Sequence, residues 1–395
     1  MAKKIALLAV ALFWLCGINT LFGATYASQR RKSKASVHSS PHHRTKHLTS
    51  KTRSKTRHVS ARRRHRYNPW RISSYGDSTR GDNPAGEVPA IRAAAIEALG
   101  KWNGAVAVVD PNNGRILTLV NQKLATEGAF TPCSTIKPIT ALAALKEGVI
   151  TPDTILRGER RLRAYGSTNI SLTEALAHSS NAFFSKVGQM LGFDRLAEYA
   201  REFGLGERTG KDIPGESAGQ FPSEPPKEGG VGMLAYDGLT ADVTPLQMAA
   251  MVSAIANGGT LYELQYPRTP EEIAQFQPKV RRQLSDLVPY FADVKAGMAA
   301  AVLYGTGRFA FDPQNDIFGK TGTCTEDGAR LGWFVSYSGQ QSPKYAVVVL
   351  LRGGRSMYGP HAAEIAGKLY HDLRLRDQST AQFIPAFSLI GPQNR

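Results

Sequence analysis

Residues 131–138 read Thr131-Pro132-Cys133-Ser134-Thr135-Ile136-Lys137-Pro138, and an apolar run follows. Ile139, Leu142, Ala143 and Leu145 recur at helical spacing until Gly148 stops the run. This spacing predicts a buried helix with Ser134 in its first turn and Lys137 one turn on, on the same face. A serine hydroxyl is a poor nucleophile near neutral pH and needs a base within hydrogen-bond reach. A lysine desolvated by an apolar core can lose its proton and become that base. The helix N-terminus also points amide N–H groups and its positive dipole end at the place where an oxyanion would develop. Pro138 removes one backbone donor and predicts a local distortion of the helix. Alone, Ser-x-x-Lys is short enough to arise by chance on an ordinary amphipathic helix, so its weight comes from two further motifs.

Downstream, Ser171-Leu172-Thr173-Glu174 opens a helix with a capping box and runs to about His178. Ser179-Ser180-Asn181 then falls between two helices, where a turn can present a hydroxyl and an amide to a cleft. The rival Ser167-Thr168-Asn169 precedes the capping box in a plain turn and is set aside. Lys320-Thr321-Gly322-Thr323 follows Gly319 on a strand candidate. Its lysine and hydroxyls can bind a carboxylate, and its glycine lets another backbone come close. Ser-x-x-Lys and Lys-Thr-Gly each occur once in the chain.

Around these motifs, Gly104–Asp110 and Arg115–Asn121 read as a hairpin, and 316–323, 331–338 and 345–352 as three further strands. Helices fill the middle: one from 182 to 191, another from 194 to 203, a third capped by Thr244-Pro245, and helix throughout 270–303. Residues 206–240 are rich in Gly and Pro and read as a long surface excursion. Strands at both ends of the globular part with helices between them predict a mixed α/β fold. Its centre is one antiparallel five-stranded sheet flanked by helices, with a helical subdomain inserted.

The 395 residues carry a formal net charge of +17. Fifteen Lys and Arg and no Asp or Glu lie between Gln29 and Arg71; removing those 15 from the total of 49 leaves 34 basic residues against 32 acidic ones. The basic character therefore belongs to a tail and does not make the globular part a nucleic-acid-binding fold. Residues 1–27, with Lys3 and Lys4 ahead of an apolar stretch, read as a signal peptide or membrane anchor. Residues 28–88 are read as a basic disordered linker, residues 89–380 as the catalytic domain and 381–395 as a C-terminal tail. The linker suits anionic lipid or an anionic wall polymer. The positive-inside rule favours a cytoplasmic position for so basic a flank, against the export that residues 1–27 would direct. Three cysteines are too few for a disulfide scaffold, and their spacing fits no metal site. Cys133 and Cys324 read as small apolar residues beside the site, with a disulfide between them as the alternative.

Together Ser134-Thr135-Ile136-Lys137, Ser179-Ser180-Asn181 and Lys320-Thr321-Gly322-Thr323 resemble the signature of penicillin-binding protein transpeptidases and serine β-lactamases. Supporting stretches are similar to the transpeptidases: 108–111, 242–248, 256–259 and Gly332-Trp333-Phe334. The resemblance covers roughly residues 100–375. It implies that Ser134 attacks the penultimate D-alanine carbonyl of a peptidoglycan stem peptide, that Lys137 accepts its proton, and that Ser179 relays a proton to the leaving D-alanine. Asn181 would hold the substrate amide, and Lys320, Thr321 and Thr323, with Gly322 between them, the terminal carboxylate. The N–H groups of Ser134 and Thr323 would form the oxyanion hole. β-Lactams would acylate Ser134 and stay. Neither metal nor cofactor is implied. The enzyme would work in the cell envelope, on the extracytoplasmic side of the membrane. No glycosyltransferase or pedestal segment is found, so a partner glycosyltransferase is a further expectation. The middle motif holds Ser180 where the β-lactamase form has aspartate, and no Glu-x-x-Leu-Asn stretch supplies a deacylating glutamate; both favour transpeptidase over β-lactamase, with a D,D-carboxypeptidase using water as acceptor as a further alternative. A non-catalytic β-lactam sensor or wall-binding scaffold, and a nucleic-acid binder acting through the tail, complete the alternatives.

Overall fold

The structure, a computed structural model, describes residues 71–227 and 230–382. Its elements run α1 (Pro89–Leu99), β1 (Gly104–Val109), β2 (Ile116–Val120), α2 (Gln122–Thr126), a 3₁₀ turn (Cys133–Ile136), α3 (Lys137–Lys146) and β3 (Leu156–Arg157). A second 3₁₀ segment (Arg160–Tyr165), β4 (Asn169–Ile170), α4 (Leu172–Ala177), α5 (Asn181–Leu191), α6 (Phe193–Glu202), α7 (Gly230–Asp237) and α8 (Pro245–Ala256) follow. The chain continues with β5 (Thr260–Tyr262), α9 (Pro270–Ala274), β6 (Val280–Gln283), α10 (Phe291–Leu303), β7 (Ile317–Glu326), β8 (Ala329–Ser338), β9 (Tyr345–Gly353) and α11 (Gly359–Gln382).

Five strands form one antiparallel sheet in the order β2-β1-β9-β8-β7. The expected mixed α/β fold, with a sheet drawn from both ends of the globular part and helices inserted between, is what the chain adopts. Every residue of β1 and β2 is buried, because both faces of the sheet are covered. Alternate side chains go to opposite faces. Ala105, Ala107, Trp333, Val335, Val348 and Leu350 join the core under the inserted helices. Val106, Val108, Phe334, Val347, Val349 and Leu351 join a second core under α1 and α11. The sheet is thus the middle of three layers. At about 25 cal/mol per Å² of apolar surface removed from water, the two cores carry most of the favourable free energy of folding.

β7 is the sheet's edge, and its exposed backbone edge would be a liability in a bare sheet. Here the 131–136 turn and α10 pack against it. This places the Ser134 turn against the Lys320–Thr323 segment, at the boundary between the sheet and the helical insertion.

Three expectations need correction. Residues 71–88, read as the end of a disordered linker, are built onto the domain. Tyr75 stacks on Trp102 at 4.8 Å, and Arg71 N–H donates to Gly328 O at 2.9 Å. Arg92 bridges Asp82 and Glu87 at 2.9 Å each, with those side chains 12%, 3% and 1% exposed. Glu87 also accepts from Tyr266 and Thr118. Composition missed this because the segment is held by polar groups rather than by apolar burial. Within 206–240 lies α7, whose Leu234 and Ala235 are buried; its flanking Gly and Pro hid it. Residues 270–303 are not continuous helix: β6 pairs with β5 between α9 and α10. The expected anchor (1–27), the linker up to residue 70 and the tail from 383 lie outside the described residues. Among the described residues, no helix is long and apolar enough to cross a membrane.

Cutting a buried ion pair leaves an uncompensated charge, so Arg92→Ala is expected to cost about 3 kcal/mol. Denaturant unfolding of the variant checks this; a loss under about 0.5 kcal/mol, the ordinary surface value, would mean residues 82–87 contribute little to the domain.

Candidate active site

The turn carrying Ser134 is fastened to the sheet at several points. Glu326, at the end of β7, accepts from Thr131 N–H at 3.0 Å and from Thr131 Oγ1 at 2.7 Å. Trp333 on β8 donates its indole N–H to Thr131 O at 3.1 Å. Cys133 and Cys324 are joined as a disulfide with their Cα atoms 5.7 Å apart, so the alternative raised for these two cysteines is the one the structure adopts. The crosslink joins the residue before Ser134 to the residue after Thr323. At Gly322 an added Cβ would lie 3.0 Å from Pro132 O and 3.1 Å from Thr135 Cγ2, so a larger residue would crowd the strand against the turn here. Cys133 adopts φ +50°, a left-handed conformation held in place by this surrounding frame.

Ser134 sits in a 3₁₀ turn that passes into α3, rather than in a regular first α-turn. Pro138 falls at the start of α3, where a missing N–H costs nothing. Lys137 Nζ lies 2.6 Å from Ser134 Oγ, 3.1 Å from Ser179 Oγ and 2.8 Å from Asn181 Oδ1. Its side chain has no solvent exposure, and Ser134 is 9% exposed. Burial pulls the Lys137 amine from its ordinary value down to about 7, while Asp237 and Glu159 pull the other way. Near neutral pH it is therefore partly unprotonated and can accept a proton from Ser134.

Ser179 follows α4 and precedes α5, at φ +53°. Its Oγ also accepts from Lys320 Nζ at 2.8 Å, so one hydroxyl joins the two lysines. Lys320 is fully buried, and burial, then the nearby Lys137 charge, hold its amine well below the ordinary range. Asn181 Oδ1 is taken up by Lys137; no hydrogen bond of its Nδ2 occurs among the described residues. Thr323 Oγ1 accepts from Gly359 N–H at 2.8 Å, leaving its proton to donate. Thr321 differs: its hydroxyl donates to Thr306 Oγ1 at 2.6 Å. All eight residues singled out from the sequence, Ser134, Lys137, Ser179, Asn181, Lys320, Thr321, Gly322 and Thr323, come together in one cluster where the 131–136 turn, the Ser179 turn and β7 meet. Motif reading missed Thr306, Asp237, Tyr236 and Glu159. Tyr236 lies with its ring centroid 5.7 Å from Lys137 Nζ. A polar residue beside a glycine pair, as at Thr306, was the only local signal.

Removing the crosslink by Cys133→Ala with Cys324→Ala is expected to lower unfolding free energy by about 3 kcal/mol, because the bond spans 191 residues and restrains the unfolded chain. Equilibrium denaturation measures it. Unchanged stability would show that the other anchors suffice.

Comparison with known proteins places this geometry. A family model described as the penicillin binding protein transpeptidase domain matches residues 104–371. The peptidoglycan D,D-transpeptidase MrdA of Haemophilus influenzae is 27% identical over 351 residues, covering 68% of this chain and 53% of the relative. Stage V sporulation protein D of Bacillus subtilis is 29% identical over 321 residues, covering 68% of this chain and 49% of the relative. The chain spans about half the length of these curated relatives. Among solved structures, penicillin-binding protein A of M. tuberculosis, as an imipenem acyl-enzyme complex, superposes with a TM-score of 0.62 at 26% identity, covering 73% of this chain and 79% of that one. Pseudomonas aeruginosa PBP2 in complex with WCK 5153 gives 0.63 at 23% identity over 76% and 78%, a likeness of fold. Carrying the three motifs in one cluster, and matched by the family model over most of its length, this chain belongs to the penicillin-binding protein transpeptidase family.

Proposed function

We propose that the protein is a serine D,D-transpeptidase that crosslinks peptidoglycan stem peptides through an acyl-enzyme at Ser134. The observation that carries the reading is the 2.6 Å approach of the buried Lys137 amine to Ser134 Oγ. In this reading neutral Lys137 takes the Ser134 proton as Oγ bonds to the penultimate D-alanine carbonyl carbon. The oxyanion is met by the N–H groups of Ser134 and Thr323, a contribution of about 3–4 kcal/mol per donor in other acyl-transfer sites. As the peptide C–N bond breaks, the leaving D-alanine nitrogen receives a proton through Ser179, which touches both lysines. An amine from a neighbouring strand then attacks the ester, its C–O bond to Ser134 breaks, and the serine regains its proton.

Lys320 and the Thr323 hydroxyl form the carboxylate end of the cleft. A bound carboxylate restores the charge that burial disfavours on Lys320. Thr321 ties the strand to the 304–307 turn through Thr306, Gly322 leaves room for the turn, and Asn181 offers its Nδ2 to the substrate amide. β-Lactams present a carboxylate and a strained amide in the same arrangement and acylate Ser134. The domain would work outside the cytoplasmic membrane, delivered there by residues 1–27, with the basic stretch from 28 against anionic lipid or wall polymer and a separate glycosyltransferase supplying strands.

Incubation with a fluorescent penicillin is expected to label the full chain and not Ser134→Ala; labelling that survives in the variant would remove Ser134 as the nucleophile. The acylation rate of the wild type is expected to rise with pH through about 7 and then level, because only the unprotonated Lys137 amine accepts a proton. A rate that is flat from about pH 5.5 to 8.5 would remove Lys137 as the base. A stem pentapeptide supplied with an amine acceptor is expected to give crosslinked product in excess of the hydrolysed tetrapeptide. The reverse ratio would make water the natural acceptor.

A further inference from the structure

The middle residue of the Ser179–Asn181 motif carries no charge, yet a carboxylate reaches the turn from another segment. Glu159 Oε2 accepts from Ser180 Oγ at 2.8 Å, and Glu159 Oε1 accepts from Ala182 N–H at 2.9 Å. Ser180 Oγ in turn accepts from Phe183 N–H at 3.2 Å, as the N-cap of α5. Both hydrogen-bonding roles of the fully buried Ser180 hydroxyl are thereby used. Two of the amides left unpaired at the start of α5 are satisfied, one by Ser180 and one by Glu159.

The segment bearing Glu159 is itself fixed. β3 and β4 pair across it, and Gly158 N–H donates to Thr168 O at 2.7 Å. A Cβ at Gly158 would lie 2.6 Å from Leu162 Cδ1 and 3.3 Å from Ser180 Oγ, so the ribbon packs closely on itself and against the turn at this glycine. Arg161 Nη2, two residues on, donates to His178 O at 3.4 Å. Burial alone would raise the Glu159 carboxyl, but the Ala182 N–H and Ser180 hydroxyl outweigh it and hold the group below its usual range. It is therefore ionised at neutral pH, and charge-assisted hydrogen bonds are the stronger kind.

What this carboxylate holds is the back of a strained turn. Ser179 sits at φ +53°, and its hydroxyl and that of the next residue face opposite ways: Ser179 Oγ toward the lysines, Ser180 Oγ toward Glu159. Asn181, between Ser180 and Ala182, accepts from the Lys137 amine at its Oδ1. We propose that Glu159 is a positioning residue of the acyl-transfer site, its carboxylate clamping Ser180 and Ala182 so that Ser179 and Asn181 stay in contact with Lys137. In this chain the carboxylate behind the turn comes from the 156–166 ribbon and not from the motif itself. The inference rests on the acyl-transfer reading above and assigns no substrate contact to Glu159.

Saturation kinetics of penicillin G acylation on the purified full chain separate binding from the chemical step. Glu159→Gln removes the charge and one acceptor. It is expected to lower the limiting acylation rate by about tenfold or more while leaving the half-saturating concentration within about twofold, since the lost bonds are to a charged group. A second variant moves the carboxylate instead of deleting it: Glu159→Gln with Ser180→Asp, aspartate being a good N-cap, is expected to recover most of the lost rate. A limiting rate for Glu159→Gln within about twofold of wild type would overturn the proposal. If Glu159→Gln is slow and also loses its melting transition, the double variant decides: recovery upholds the clamp, and failure to recover overturns it. Wild-type protein that never acylates would instead overturn the acyl-transfer reading itself.

Discussion

Two lysine amines buried within reach of one serine hydroxyl set the terms for the rest of the molecule. Lys137 and Lys320 have no solvent exposure, and Ser179 Oγ sits 3.1 Å from one and 2.8 Å from the other. Two ammonium groups this close and this dry repel, and burial disfavours charge on each. The arrangement is tolerable when at least one amine is neutral, which is the state a general base requires. A carboxylate entering the cleft changes the balance: it favours charge on Lys320 and leaves Lys137 as the group to stay neutral. In the proposed reaction, substrate binding and base activation would thus be electrostatically linked through the same small space.

Holding that geometry needs rigidity from all sides, and the fold supplies it. The 131–136 turn is tied to the β7 edge by a disulfide, the Glu326 carboxylate and the Trp333 indole. The Ser179 turn is capped from behind by Ser180 and Glu159. β7 is aligned residue by residue with β8, Lys320 opposite Val335 and Gly322 opposite Trp333. Each candidate catalytic side chain therefore projects from backbone fixed by an apolar core or by paired polar groups. Such preorganisation lowers the cost of reaching a charged transition state.

Much of this was legible in the sequence because its signals are local. The apolar, β-rich runs of β1, β8 and β9, the helical spacing after Ser134, and the Thr244-Pro245 cap each follow from a few neighbouring residues. The three motifs were legible because each is short, sits on one element and leaves a distinct chemical pattern. What stayed hidden depends on contacts distant in the chain. The Asp82–Arg92–Glu87 cluster makes an ordered segment out of a polar one, and no composition window can show that. Glu159 lies 21 residues before Ser180 in a basic, charge-rich run, where a lone acid reads as solvent-facing. The pairing of Cys133 with Cys324 needed the sheet edge to be set against the turn. α7 was hidden by flanking glycines and prolines whose turn signals outweighed eight helical residues.

All of these features converge on the state of one nitrogen, which can be observed directly. NMR titration of the chain labelled with ¹⁵N and ¹³C in lysine follows the Lys137 side chain, assigned by its absence in Lys137→Arg. The account predicts that this amine titrates with a midpoint near 7, well below its ordinary value. A midpoint that stays near the ordinary lysine value of about 10.4 would contradict it, because Ser134 would then have no neighbouring base.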